Sequence, residues 1–351
     1  MKSLISRIVL SSLALAPTQL HATPVLVLDA DSRQVLAQED AGVLWYPAST
    51  TKLMTAFVTF EALRAGEISL STPVTMTKKS VGQAFLESGL VLGQTMTLED
   101  ALYAMIAASA NDVAMAVAET VGHGDAAFVQ KMNDAAKRLG MTGTHFSNPN
   151  GLFDRNNYTT ARDLALLGLA VEQQFPEFER FFQASSVSIN GKEIKSNNLL
   201  LTRYRGTTGL KTGFLCASGR NYVGTATRNN RKVMVVILGA TTERERNERS
   251  AQFLDQAFDG SLAANAGSLE SVVNRPDVKP EDMRIRLCTK ESAKYEAERE
   301  AMYPMGLAGQ KSYLDPEISG IVRTVSTWQS EASAEVPLPS PRPTTSQGEL
   351  N

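Results

Sequence analysis

Two hydrophobic periods alternate along the chain and divide it. Val25-Leu26-Val27-Leu28 reads as a strand, Asp29 to Arg33 carries turn residues and Gln34 to Ala37 returns, so residues 24–40 are expected as a hairpin. After Pro47-Ala48 the spacing changes. Leu53, Met54, Phe57, Val58, Phe60 and Leu63 recur at near-helical intervals, and Gly66 closes the segment. Helical spacing resumes over 97–140. Thr97 caps a first helix whose face is Leu98, Leu102, Met105 and Ile106. Ser109-Ala110-Asn111 interrupts the pattern, a second helix runs through Val113 and Val117 to Val121, and a third runs from about Asp125 to Leu139 and stops at Gly140.

Asn148-Pro149-Asn150-Gly151 is a strong turn. Thr160 to Asp163 opens another helix, with Leu164, Leu166, Leu167 and Leu169. From Gly209 the pattern becomes strand-like. Segments 209–214, 221–227 and 232–240 read as strands, with Asn229-Asn230 turning between the last two. Val233 to Leu238 is apolar without interruption, which predicts burial on both faces. A closing helix follows near 246–258. This order predicts one α+β domain whose first and last segments share a sheet. There is no internal repeat.

Composition adds boundaries. The chain has 351 residues, 43% hydrophobic and 21% charged, which is ordinary for a globular protein with a sizeable core. With 35 basic and 37 acidic residues the net charge is −2, so nothing argues for nucleic acid as a partner. Lys2 and Arg7, the apolar run Ile8 to Ala16 and the small residue Ala22 predict a signal peptide over 1–22 and a periplasmic or otherwise extracytoplasmic location. A single folded domain is then expected over 23–262. Residues 263–330 are charged and weakly patterned, which leaves open a small C-terminal appendage or a partly disordered segment. Residues 331–351, with Pro337, Pro339, Pro341 and Pro343, are expected as a disordered tail. Outside the cytoplasm Cys216 and Cys288 can pair or remain two buried thiols; their spacing leaves both open.

The chemistry concentrates in three short elements. Ser49-Thr50-Thr51-Lys52 occurs once. A serine hydroxyl needs a proton acceptor to become a nucleophile. With Ser49 at a helix start, Lys52 lies one turn on, on nearly the same face. The amine must be neutral to act as a base, which requires burial or a nearby cation, and Lys211 is the expected cation. The helix N-terminus aims its amides at a developing oxyanion. Lys211-Thr212-Gly213 is the second element, a strand able to pair with an extended peptide, with a cation and a hydroxyl for a carboxylate. Gly213 is expected to let the substrate backbone approach. Ser109-Ala110-Asn111 is the third, chosen over Ser188-Ile189-Asn190 and Ser196-Asn197-Asn198 because it alone sits at a break between helices, midway between the other two. Its serine can relay a proton to a leaving nitrogen, and its amide can hold a substrate carbonyl.

Together these elements resemble the set found in β-lactamases and penicillin-binding proteins. The chain is similar to the D-alanyl-D-alanine carboxypeptidases, the low-molecular-mass penicillin-binding proteins, over roughly residues 24–260. The likeness extends to the context Pro47 to Thr55, the run Ser147 to Leu152, the run Asn157 to Asp163 and the segment Gly209 to Phe214. It implies a β-lactamase/transpeptidase-like fold, an antiparallel sheet flanked by helices with an all-helical subdomain. It also implies acylation of Ser49 by the D-Ala-D-Ala end of a peptidoglycan stem pentapeptide, followed by hydrolysis. Lys52 and Ser109 would be catalytic. Asn111, Lys211, Thr212, Gly213, Phe214 and Arg246 would bind substrate. The backbone amides of Ser49 and Phe214 would form the oxyanion hole. β-Lactam antibiotics would be covalent inhibitors, and no cofactor or metal is expected; many members also carry a β-rich second domain and an amphipathic C-terminal anchor, whose patterns residues 268–351 lack, so no stable membrane anchor is expected.

Arg246 shares its stretch with Arg244 and Arg249, so its register stays open. Leu215 stands where many members carry a threonine, which removes one hydroxyl beside the substrate tail. The alternatives are a D,D-endopeptidase cutting cross-links and a non-catalytic wall-binding protein. A Ser-His-Asp hydrolase is disfavoured because no Gly-x-Ser-x-Gly is present, and His123 and His145 read as structural or surface residues.

Overall fold

The computed structural model describes residues 23–85, 88–262, 267–290, 292–302 and 308–329. Residues 1–22, expected as a signal peptide, and 331–351, expected as a tail, therefore lie outside the described residues. The chain begins with the hairpin β1 (Val25–Asp29) and β2 (Val35–Glu39), then a single 3-10 turn over Ala48–Thr51 that runs into α1 (Lys52–Arg64). A helical region follows: β3 (Pro73–Thr75), α2 (Lys78–Val81), β4 (Gln94–Thr97), α3 (Leu98–Ala107), α4 (Asn111–Gly122), α5 (Asp125–Arg138) and α6 (Ala161–Gln174). Next come β5 (Ala184–Ile189), β6 (Lys192–Lys195) and α7 (Leu200–Arg203). The strands β7 (Thr207–Leu215), β8 (Gly219–Arg228) and β9 (Arg231–Ala240) lead to α8 (Glu243–Phe258). Last are α9 (Arg284–Leu287), α10 (Ser292–Met302), β10 (Ile321–Val325) and β11 (Thr327–Gln329).

The main sheet has the order β2-β1-β9-β8-β7, and every pairing in it is antiparallel. First and last segments thus share a sheet, as the order of periods predicts. The unbroken run in β9 is buried on both faces. Met234, Val236 and Leu238 pack in one core with Leu53 and Phe57 of α1 and Leu164 and Leu167 of α6. Val233, Val235 and Ile237 face the other core, with Ala251, Leu254 and Ala257 of α8. Helix α1 is buried along most of its length, which suits its place between the sheet and the other helices. Thr97 accepts from Asp100 N at 3.1 Å and caps α3 as expected.

The strand β7 lies at the sheet edge, next to the nucleophile turn. The hairpin β5–β6 was not expected, because its short alternation of Ser and apolar residues is weak without its partners. The described residues between 267 and 329 pack along the domain. Leu269, Val272, Met283 and Leu287 enter its core. Strand β10 pairs in parallel with β5, and β11 pairs with β4. Cys216 and Cys288 form a disulfide, which resolves the alternative left open by their spacing. Among the described residues no helix is long and apolar enough to cross a membrane.

Candidate active site

Ser49 sits in the 3-10 turn and Lys52 is the first residue of α1, so the nucleophile turn precedes the helix rather than starting it. The two side chains still meet: Lys52 Nζ lies 3.0 Å from Ser49 Oγ. The buried amine also donates to Asn111 Oδ1 at 2.7 Å and to the Asn150 carbonyl at 2.7 Å. A neutral amine fits these contacts, its two N–H bonds directed to the Asn111 and Asn150 oxygens and its lone pair turned to the Ser49 hydroxyl. Asn150 belongs to the turn already legible as Asn-Pro-Asn-Gly, though its contact with the lysine was not foreseen. That turn is held by Asn148 Oδ1 accepting from Gly151 N at 2.7 Å and Asn150 Oδ1 accepting from Leu152 N at 3.0 Å. Gly151 has φ +84°, and a Cβ there would lie 1.9 Å from the Ala48 carbonyl oxygen. Only glycine lets this turn close onto the nucleophile turn.

Ser109 occupies the break between α3 and α4 with φ 58°, a conformation uncommon outside glycine. Its hydroxyl accepts from Lys211 Nζ at 3.0 Å. Lys211 is buried, and its pKa is lowered to about 7, first by burial and then by the nearby Arg246 charge. Lys211, expected as the cation near Lys52, is tied by its hydrogen bond to Ser109, and its own proton is loosened by burial. Asn111 lines the cleft, and its Nδ2 donates to the Ala84 and Phe85 carbonyls, each at 3.2 Å.

Thr212, Gly213 and Phe214 follow along β7. A Cβ on Gly213 would lie 2.9 Å from Ser49 N, 3.0 Å from the Pro47 oxygen and 3.1 Å from Ala48 Cβ. The glycine is therefore required by the packing of β7 on the nucleophile turn, a reason different from substrate approach. Asn221 on β8 reinforces the same joint, donating to the Tyr46 and Pro47 carbonyls at 2.9 Å each. Ser49 N is a first-turn amide, for which the turn itself offers no acceptor.

The arginine register resolves. Arg246 is buried and lines the cleft, whereas Arg244 pairs with Glu300 and Arg249 with Glu245. Arg246 Nε donates to Asn247 Oδ1 at 3.1 Å, and Nη2 donates to the Asn197 carbonyl at 2.7 Å. Burial above all lowers its pKa to about 10; the neighbouring Arg220 adds to this and Glu243 opposes it. Arg220, Asn197 and Glu243 were not foreseen at this site, since each reaches it only through pairing or packing distant in sequence. Ser49, Ser109, Asn111, Thr212, Gly213, Phe214 and Arg246 all line one cleft of about 280 Å³, and Lys52 and Lys211 reach into it by hydrogen bonds to Ser49 and Ser109. No predicted site residue lies elsewhere.

An antiparallel sheet beside a helical region, with a Ser-Lys pair where they meet, defines the β-lactamase/transpeptidase-like class of protein. The comparisons with known proteins agree. The family model for D-alanyl-D-alanine carboxypeptidase matches residues 11–242. The D-alanyl-D-alanine carboxypeptidase DacA of Haemophilus influenzae is 31% identical over 247 residues, covering 69% of this chain and 63% of that one. The crystal structure of penicillin binding protein 5 from the same organism superposes with a TM-score of 0.65 at 28% identity, over 70% of this chain and 73% of that one. Penicillin-binding protein D2 from Listeria monocytogenes, in its cefotaxime-bound form, gives 0.62 at 28% identity over 68% and 97%. The chain belongs to the D-alanyl-D-alanine carboxypeptidase family. It spans a little under two thirds of the length of the first curated relative it matches.

Proposed function

We propose that this protein is a serine D-Ala-D-Ala carboxypeptidase acting on peptidoglycan stem pentapeptides outside the cytoplasm. The observation that carries the reading is the 3.0 Å contact of Lys52 Nζ with Ser49 Oγ, beside the 3.0 Å contact of Lys211 Nζ with Ser109 Oγ. Ser49 Oγ attacks the carbonyl carbon of the penultimate D-Ala, and its proton passes to neutral Lys52. The backbone amides of Ser49 and Phe214 receive the negative charge that develops on the carbonyl oxygen. The C–N bond breaks, and the leaving nitrogen takes a proton by way of Ser109. Free D-Ala departs, and water hydrolyses the Ser49 ester. Arg246 and Thr212 hold the substrate carboxylate.

A β-lactam enters the same way and leaves its acyl group on Ser49. The cefotaxime-bound state of the Listeria relative supports that part of the reading. The test uses purified wall fragments. Release of D-Ala from pentapeptides is expected. Conversion of cross-linked dimers to monomers without D-Ala release would replace this reading with endopeptidase action, and inertness toward both would overturn the enzymatic assignment.

A further inference from the structure

We infer that Arg220 is a second carboxylate-binding residue of the catalytic cleft, taking the free carboxylate of the leaving amino acid jointly with Arg246. The inference rests on the peptidase reading above and adds to it a residue that neither motif nor spacing marks.

The β7–β8 ladder sets Arg220 directly opposite Phe214. Its guanidinium lies 4.6 Å from the centre of the Phe214 ring, and Nη1 donates to the Thr241 carbonyl. Stacking and one hydrogen bond thus fix a flexible side chain at the wall of the cleft, where it is half-buried. Phe214 itself is 46% exposed, so the ring is a platform rather than part of the core.

Arg246 alone is poorly placed to take a carboxylate. A bidentate fork needs two adjacent nitrogens with free N–H bonds. Arg246 commits Nε to Asn247 and both Nη2 hydrogens to Asn247 and the Asn197 carbonyl. Any two-nitrogen edge of that guanidinium therefore includes a nitrogen already engaged. With Thr212 offering a neutral hydroxyl, a carboxylate with two oxygens still lacks a second charged donor, and Arg220 lines the same cleft close enough to Arg246 to act on its charge.

Charge points the same way. Glu243 lines the cleft as well and favours the charged form of Arg246, so that pair approaches neutrality. Arg220 supplies the surplus positive charge. Arg220 also lowers the proton affinity of Arg246, as two nearby cations do, and an anion between them would relieve that repulsion.

The test compares kcat/KM for a peptide ending in D-Ala-D-Ala with that for the same peptide carrying a C-terminal carboxamide. Losing a charged hydrogen bond to a carboxylate is expected to cost Arg220→Gln about 10- to 100-fold on the free acid. The rate on the amide should be unchanged, which also shows that the variant is folded and competent. Arg220→Lys should recover part of the preference for the acid. An acid-to-amide ratio equal to that of the wild type, or equal losses on both peptides, would overturn the inference while leaving the peptidase reading intact. A wild-type protein that cleaves neither peptide would sink the peptidase reading and this inference with it.

Discussion

Gly213→Ala offers the sharpest test of how the site is assembled. The added Cβ would stand 2.9 Å from Ser49 N and 3.1 Å from Ala48 Cβ. An unstrained contact between carbons needs roughly 3.5 Å, so the nucleophile turn must retreat by about half an ångström. Neither contact is the end of a flexible chain; both belong to the turn, and Asn221 ties that turn to β8 through the Tyr46 and Pro47 carbonyls. Overpacking of this kind costs about 1–3 kcal/mol. For a domain of this size that is a fall of roughly 2–12 °C in Tm.

The larger effect falls on chemistry. A displacement of about 1 Å costs on the order of 100-fold, so half of that predicts about a 10-fold slower acylation. The assay is the second-order rate of labelling by a fluorescent penicillin, measured beside Tm. Gly191→Ala is the control. It lies in the β5–β6 turn at φ +79° with nothing within 4 Å. It should lose about 1–2 kcal/mol of stability and no acylation rate. Wild-type acylation by Gly213→Ala would refute the claim that this glycine sets the nucleophile's position.

Two further outcomes follow from burial and covalent bracing. The Lys211 pKa is held at about 7 in the fold, against the ordinary 10.5 of an unfolded lysine. Between those values the unfolded chain binds more protons, so stability should rise with pH from about 7 upward. Lys211→Met should remove that slope and raise Tm relative to wild type at pH 6 while abolishing turnover; a lower Tm at pH 6 would count against the burial argument. The Cys216–Cys288 disulfide closes a loop with a sequence separation of 72. Its reduction, or paired Cys→Ser substitution, should cost roughly 4 kcal/mol, read as a lower midpoint in urea; an unchanged midpoint would show that the packing of Leu269, Val272, Met283 and Leu287 suffices without it.

The elements legible in the sequence are those whose signal is local. The β1–β2 hairpin, the apolar run of β9 and the Thr97 cap each declare themselves within a few residues. So do Ser49, Lys52 and the Asn148–Gly151 turn, because helix start and turn chemistry are short-range. What escaped depends on partners far along the chain. Strand β10 is mostly exposed and exists through its pairing with β5, and β11 through its pairing with β4. Arg220 reaches the cleft by standing opposite Phe214, and Asn150 contributes a backbone carbonyl that no side-chain pattern could reveal. The contacts of the Asn111 amide with the backbone oxygens of residues 84 and 85 escaped for the same reason.

The measurement closest to the centre of this account is intact-protein mass spectrometry after exposure to penicillin, with peptide mapping of the product. One acyl group on Ser49 is predicted, absent in Ser49→Ala although that variant keeps the wild-type Tm. A label on another residue, or an undiminished adduct in Ser49→Ala, would contradict the account.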